Sequence, residues 1–170
     1  MDVIVTTQTG SPNATAEVNG QMVACIIGQH GPKPATLKRE GDGCTPLGTW
    51  QVLYGFYRAD RVAKPAGNLP WRALTPDDGW CDAPTDPLYN QSVPVGYPAS
   101  HEVMLREDTA YDYVVVLGHN QPPVAGAGSA VFLHVWHPGK THTAGCVALK
   151  VADMARVVAS LTRESVVDVR

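Results

Sequence analysis

A histidine closes the apolar run Val131-Phe-Leu-His134, and a cysteine follows twelve positions later in Thr143-Ala-Gly-Cys146-Val-Ala-Leu149. A thiol attacks a carbonyl as its thiolate, and a neighbouring imidazole can take the proton near neutral pH. The pair suits attack on a carbonyl with Cys146 as nucleophile and His134 as base, and it equally fits a buried structural cysteine beside a core histidine. Gly145 allows close backbone approach, and N–H groups around Gly145 and Cys146 could hold an oxyanion. A helix is expected just beyond Cys146. Its dipole would lower the thiol pKa and make Cys146 the fastest of the four cysteines to alkylate.

Two other chemistries use the same residues. His134, His137, His142 and Cys146 are all zinc-competent, which would suit a metallohydrolase. Strand alternation sends His134 and His137 to opposite faces, and no His-Glu-x-x-His spacing is present, so neither metal nor cofactor is expected. A binding module without catalysis needs neither Cys146 nor His134.

The elements that must position these residues are mainly strands. The chain has 170 residues, enough for one domain with a buried core, and 44% are hydrophobic. Gly and Pro, 16 and 14 residues, favour a loop-rich strand fold over a helix bundle. The net charge of −3 and the lack of a basic run argue against nucleic acid. No apolar run is long enough to span a membrane. Met1-Asp-Val-Ile-Val-Thr-Thr7 does not read as a signal peptide, having neither a basic nor an apolar region of useful length.

Strands are predicted over 3–8, 14–18 and 22–27, the last two joined by the hairpin signal Asn19-Gly20. Further strands fall at 49–58, 112–117, 130–136 and 165–169. The alternation in 130–136 puts His134 and Trp136 on one side and Leu133 and Val135 on the other. Residues 59–110 lack periodicity and read as a functional insertion or lid. Val151, Met154, Ala155, Val158 and Leu161 recur at helical spacing, which predicts a helix over about 151–162. The result is a mainly β (α+β) domain over 1–170 with one packed C-terminal helix. Cys25 lies in an apolar run and is read as core, while Cys44 and Cys81 sit in loops where an oxidising compartment would allow a bridge.

The segment around Cys146 resembles the signature of the L,D-transpeptidase (YkuD-like) catalytic domain. That signature has a histidine ending a strand, then Ser/Thr-His-Gly-Cys followed by apolar, Arg and apolar residues. Thr143, Gly145, Cys146, Val147 and Leu149 match it. Upstream, Lys38-Arg-Glu-Gly-Asp-Gly-Cys-Thr-Pro-Leu-Gly-Thr-Trp50 resembles the family's Gly/Thr-Pro-x-Gly-x-aromatic turn. The resemblance covers roughly 1–169 and implies packed mixed sheets in a sandwich-like β fold. Ala144 stands where the family has His and Ala148 where it has Arg, so donor contacts must come from other residues.

The resemblance implies a peptidoglycan enzyme that needs no cofactor. Cys146 would attack the diaminopimelate carbonyl at stem position three and release D-Ala from position four. An amine would then resolve the thioester into a 3-3 or 1-3 cross-link, with a slight lean toward the unusual 1-3 acceptor, or water would make a carboxypeptidase. Carbapenem acylation is implied as well. The partners are stem peptides, the location is periplasmic or cell-wall associated, and a monomer is expected. Thr143 and His142 are candidates to orient His134. Arg39, Lys38, Arg106 and Lys140 are candidates for the stem carboxylates. Trp136, Tyr89 and Asn90 are candidate peptide walls, and His119 and Asn120 could face the same cleft. Trp80, Tyr111 and Asp112 are assigned structural roles.

Overall fold

The computed structural model describes residues 1–170. Its strands are β1 (Val3–Thr6), β2 (Asn13–Val18), β3 (Gln21–Ile26), β4 (Pro32–Pro34), β5 (Thr45–Tyr57), β6 (Trp71–Ala73), β7 (Asp78–Cys81), β8 (Ser92–Pro94), β9 (His101–Val103), β10 (Tyr113–Leu117), β11 (Phe132–Val135), β12 (Val147–Leu149) and β13 (Val166–Val169). One helix, α1 (Val151–Val158), lies between β12 and β13. The mainly β reading with a single helix holds.

The large sheet runs β10-β11-β12-β3-β2-β1-β13-β5, and β10 also pairs with β5, so these strands close on themselves. Strand β5 makes the closure possible. Its 13 residues reach β4 at Thr45–Leu47, β13 at Gly48–Gln51 and β10 at Val52–Tyr57. Closure removes exposed edges that would otherwise invite pairing with another chain.

Period-two alternation divides the apolar residues between two cores. Leu133 and Val135 of β11, Val147 and Leu149 of β12, and Val115 and Leu117 of β10 face the larger core. Met154, Val157, Val158 and Leu161 pack into that core, so the helix buries positions spaced three and four apart. The opposite face of the same strands carries Val114, Val116, Phe132 and Cys146. Trp80, Met104, Leu74 and Tyr111 cover that face.

Four expectations are corrected here. The helix ends at Val158 instead of about 162, because Leu161 turns into the core and the Thr162 N–H bonds Ser165 Oγ. Val151 and Ala155, assigned to its apolar stripe, are exposed. Segment 59–110 is more ordered than its composition suggests: β8-β7-β9 form a small antiparallel sheet, and β6 pairs with β5. No bridge links Cys44 and Cys81, and all four thiols are free and buried. No helix is long and apolar enough to cross a membrane.

Candidate active site

Register places Cys146 and His134 together. Strands β11 and β12 pair in parallel with Leu133 opposite Val147 and His134 opposite Ala148. Cys146 thus lies beside Phe132, on the face that His134 also uses, and both line one cleft of about 560 Å³. Both are buried, at 8% and 9% exposure.

Short-range sequence sets the bend at Cys146. Gly145 has φ +148°, and a Cβ there would meet the Cys44 carbonyl oxygen at 2.9 Å, so only glycine fits. Thr143 Oγ1 donates to the Cys146 carbonyl at 2.7 Å and accepts the Gly145 N–H at 3.1 Å. Thr45, fully buried, accepts the Gly28 N–H at 2.9 Å and donates to the Gly145 carbonyl at 2.9 Å. The Cys44-Thr-Pro46 turn therefore clamps the cysteine loop from a hundred residues away.

The thiol donates to the Ala130 carbonyl at 3.1 Å, and Sγ accepts the Phe132 N–H at 3.4 Å. Burial pushes the Cys146 thiol up to about 12, and the Phe132 N–H offsets this only in part. Burial pushes His134 down to about 4, opposed by the hydrogen bond its Nδ1 makes with the Val135 carbonyl at 2.9 Å. With Nδ1–H donating to that carbonyl, Nε2 is left as the acceptor a general base needs. At neutral pH the resting pair is thiol and neutral imidazole.

This corrects the expected lowered thiol. Strand β12 lies between Cys146 and α1, which starts at Val151, so the dipole does not act at the sulfur. The oxyanion assignment narrows too. The Gly145 N–H is taken by Thr143, while the Cys146 N–H makes no hydrogen bond. Thr143 and His142 do not orient His134; the Val135 carbonyl does. Thr143 braces the cysteine loop, and His142 is exposed with its ring at Thr141.

Among the other candidates, Trp136, Lys38, Arg106 and Lys140 line the cleft. Arg39, His119 and Asn120 do not. They line a separate hollow with Trp50 and Val124. Arg39 instead donates to the Thr36 and Lys38 carbonyls. His119 bonds the Ala127 carbonyl, and Asn120 Nδ2 holds the Val124 and Gly128 carbonyls. Tyr89 and Asn90 form no open wall. The buried Tyr89 hydroxyl donates to Glu40 and accepts the Gly128 N–H. Asn90 Oδ1 accepts from Trp80 Nε1 and the Ala130 N–H, and its Nδ2 donates to the His119 and Asn120 carbonyls.

A family model, the YkuD L,D-transpeptidase catalytic domain, matches residues 11–169. The chain belongs to this family. No curated protein matches it. L,D-transpeptidases of the YkuD family are cysteine-dependent transpeptidases that act on peptidoglycan stem peptides. Sequence reasoning missed several cleft-lining residues of this L,D-transpeptidase domain, among them His30, Glu40, Asp82, Glu102 and Asp108. Tyr111, read as structural, also lines the cleft, its ring edge-on to His134 at 5.4 Å. For Asp82, Glu102 and Asp108 the only prior signal was that 59–110 lacked periodicity, which is where long functional segments tend to lie.

Proposed function

We propose that this protein is a peptidoglycan L,D-transpeptidase in which Cys146 is the nucleophile and His134 the base. The observation that carries the reading is the placement of His134, on β11, and Cys146, just before the paired β12, on the same face and at the floor of one cleft. As the Cys146 sulfur attacks the diaminopimelate carbonyl at position three, its proton passes to His134 Nε2. The Cys146 N–H holds the oxyanion, and D-Ala leaves with the proton returned by His134. Attack by an amine on the thioester forms the cross-link and frees the thiol. Gly145 and Thr143 keep the loop in the conformation this requires, and Trp136 walls the peptide. The alternative is hydrolysis of the same thioester, an L,D-carboxypeptidase. The substrate puts the protein in the periplasm or at the cell wall.

The test is incubation of the protein with diaminopimelate-containing muropeptides, with mass spectrometry of the products and Cys146→Ala alongside. Expected are D-Ala release and new dimers, both absent in the variant. Fragmentation of the dimers separates 3-3 from 1-3 links. Tripeptides without dimers would mean hydrolysis, and no Cys146-dependent change would reject the reading. A carbapenem should add one acyl mass to the wild type and none to Cys146→Ala.

A further inference from the structure

Segment 59–110 and the stretch behind it bring opposite charges to one wall of the cleft. Asp82 follows β7, Glu102 lies on the neighbouring β9, and Arg106 follows shortly after; all three line the cleft. Tyr111 joins them. Its hydroxyl donates to Glu102 at 3.1 Å, and the Arg106 guanidinium lies over its ring at 5.2 Å from the centroid. The same ring meets His134, so this charged wall is continuous with the candidate catalytic pair.

The hydrogen bonding of these groups is incomplete. Asp82 Oδ1 is shut off from solvent and has no partner, an arrangement that costs free energy unless something else supplies a donor. Glu102 receives one hydroxyl, and a carboxylate accepts more than one bond. Burial raises Glu102 to about 7, against Tyr111 and Arg106, which lower it, while Asp82 and Glu40 raise it further. A cation placed here would restore its charged form. Arg106 uses Nε and one Nη on Asp108, at 2.9 and 2.6 Å, which fixes its plane and leaves the other Nη free. Its side chain is 38% exposed and can meet a ligand.

We propose that Asp82, Glu102 and Arg106 form a subsite for the free ammonium–carboxylate end of an amino-acid side chain in the donor peptide. Asp82 and Glu102 take the ammonium, and Arg106 takes the carboxylate. The inference rests on the transpeptidase reading. Diaminopimelate carries such an end on a three-methylene tether beyond the peptide-bearing carbon. Lysine in the same place offers only the ammonium, and a carboxamide at that end removes the negative charge. The subsite therefore selects among stems by the charge of the third residue's side-chain end.

The experiment measures kcat/KM for D-Ala release from three tetrapeptide stems. They carry diaminopimelate, its side-chain carboxamide, or lysine at position three. Wild-type protein should prefer the diaminopimelate stem by about tenfold or more, since a site built around polar partners discriminates strongly against their loss. Arg106→Gln should erase the preference over the carboxamide and leave the lysine stem unchanged, and Arg106→Lys should restore part of it. Asp82→Asn should raise KM for all three stems with a smaller effect on kcat. Wild-type rates within twofold across the stems would overturn the subsite while leaving the transpeptidase reading intact. An equal loss on all three stems in Arg106→Gln would also overturn it, marking the arginine as structural. No Cys146-dependent release from any stem would overturn the functional reading and the subsite together.

Discussion

Asn90 accepts the Ala130 N–H at 3.0 Å, and the Ala130 carbonyl accepts the Cys146 thiol at 3.1 Å. A residue far from the cysteine in sequence thus sets the direction of its S–H. Ala130 has φ +52°, a conformation that costs an L-residue about 1 kcal/mol. Asn90 holds it there while also binding Trp80 Nε1. Asn90→Ala would leave the buried indole N–H without a partner and release the strained turn. The expected loss is about 3 kcal/mol in chemical denaturation, with a matching fall in Cys146-dependent D-Ala release. Ala130→Gly should keep the turn and gain up to about 1 kcal/mol.

The thiol of Cys146 should titrate high. Burial holds both Cys146 and Cys25 near 12, so neither is thiolate-rich at neutral pH. Only Cys146 lines an open cleft. Its alkylation rate should rise about tenfold per pH unit from 7 to 10 with no plateau, since thiolate is the reacting species. Peptide mapping after timed iodoacetamide labelling checks this. A plateau below pH 8 would mean a preformed thiolate–imidazolium pair and would contradict the neutral resting site.

What the sequence revealed of this site follows the range of the forces involved. Gly145 and Cys146 sit in a local turn and His134 ends an alternating strand, so short-range pattern places them. A cysteine and a histidine alone are a weak signal, and the likeness to the family's motif is what singles them out. The same alternation placed Trp136 on the correct wall. Val147–Leu149 is an apolar triplet that fits a helix start as well as a strand. Only its pairing with β11 and β3 decides for the strand, and the expected dipole effect failed there. Arg39 and Arg106 look alike in sequence, yet one lines the cleft and the other a separate hollow. In the sequence, Tyr89 and Asn90 are candidates for a peptide wall, and His119 follows a buried strand from which it could face the cleft. Here they satisfy buried backbone groups, which long-range packing decides.

Thr45 should matter beyond its size. Its hydroxyl joins the Gly28 N–H to the Gly145 carbonyl in a fully buried place. Thr45→Val keeps the shape and leaves both backbone groups unpaired, at a cost of about 2–3 kcal/mol. Thr45→Ser should retain most of the stability because it keeps the hydroxyl. The thermal midpoints of the three proteins test this, and equal midpoints for Val and Ser would reject the clamp.

Acid stability should depend on Asp42. Its carboxylate meets the buried Lys38 ammonium at 2.5 Å, the Lys33 ammonium at 3.1 Å, and the Arg39 and Cys44 N–H groups at 2.9 and 3.0 Å. Burial alone would raise its pKa, but these donors together hold it below the ordinary carboxylate range. A folded-state value below the unfolded one gives stability that is present above about pH 4 and lost as pH falls further. Lys38 is 4% exposed, so removing its partner strands a buried cation. Asp42→Asn should therefore cost about 3 kcal/mol at pH 7 and flatten the decline below pH 4. Because the same loop carries Cys44 and Thr45 to the Cys146 turn, the variant should also slow D-Ala release. Denaturant unfolding at pH 7, 4 and 3 measures both arms. Parallel pH profiles for the variant and wild type would remove Asp42 as the source of acid sensitivity.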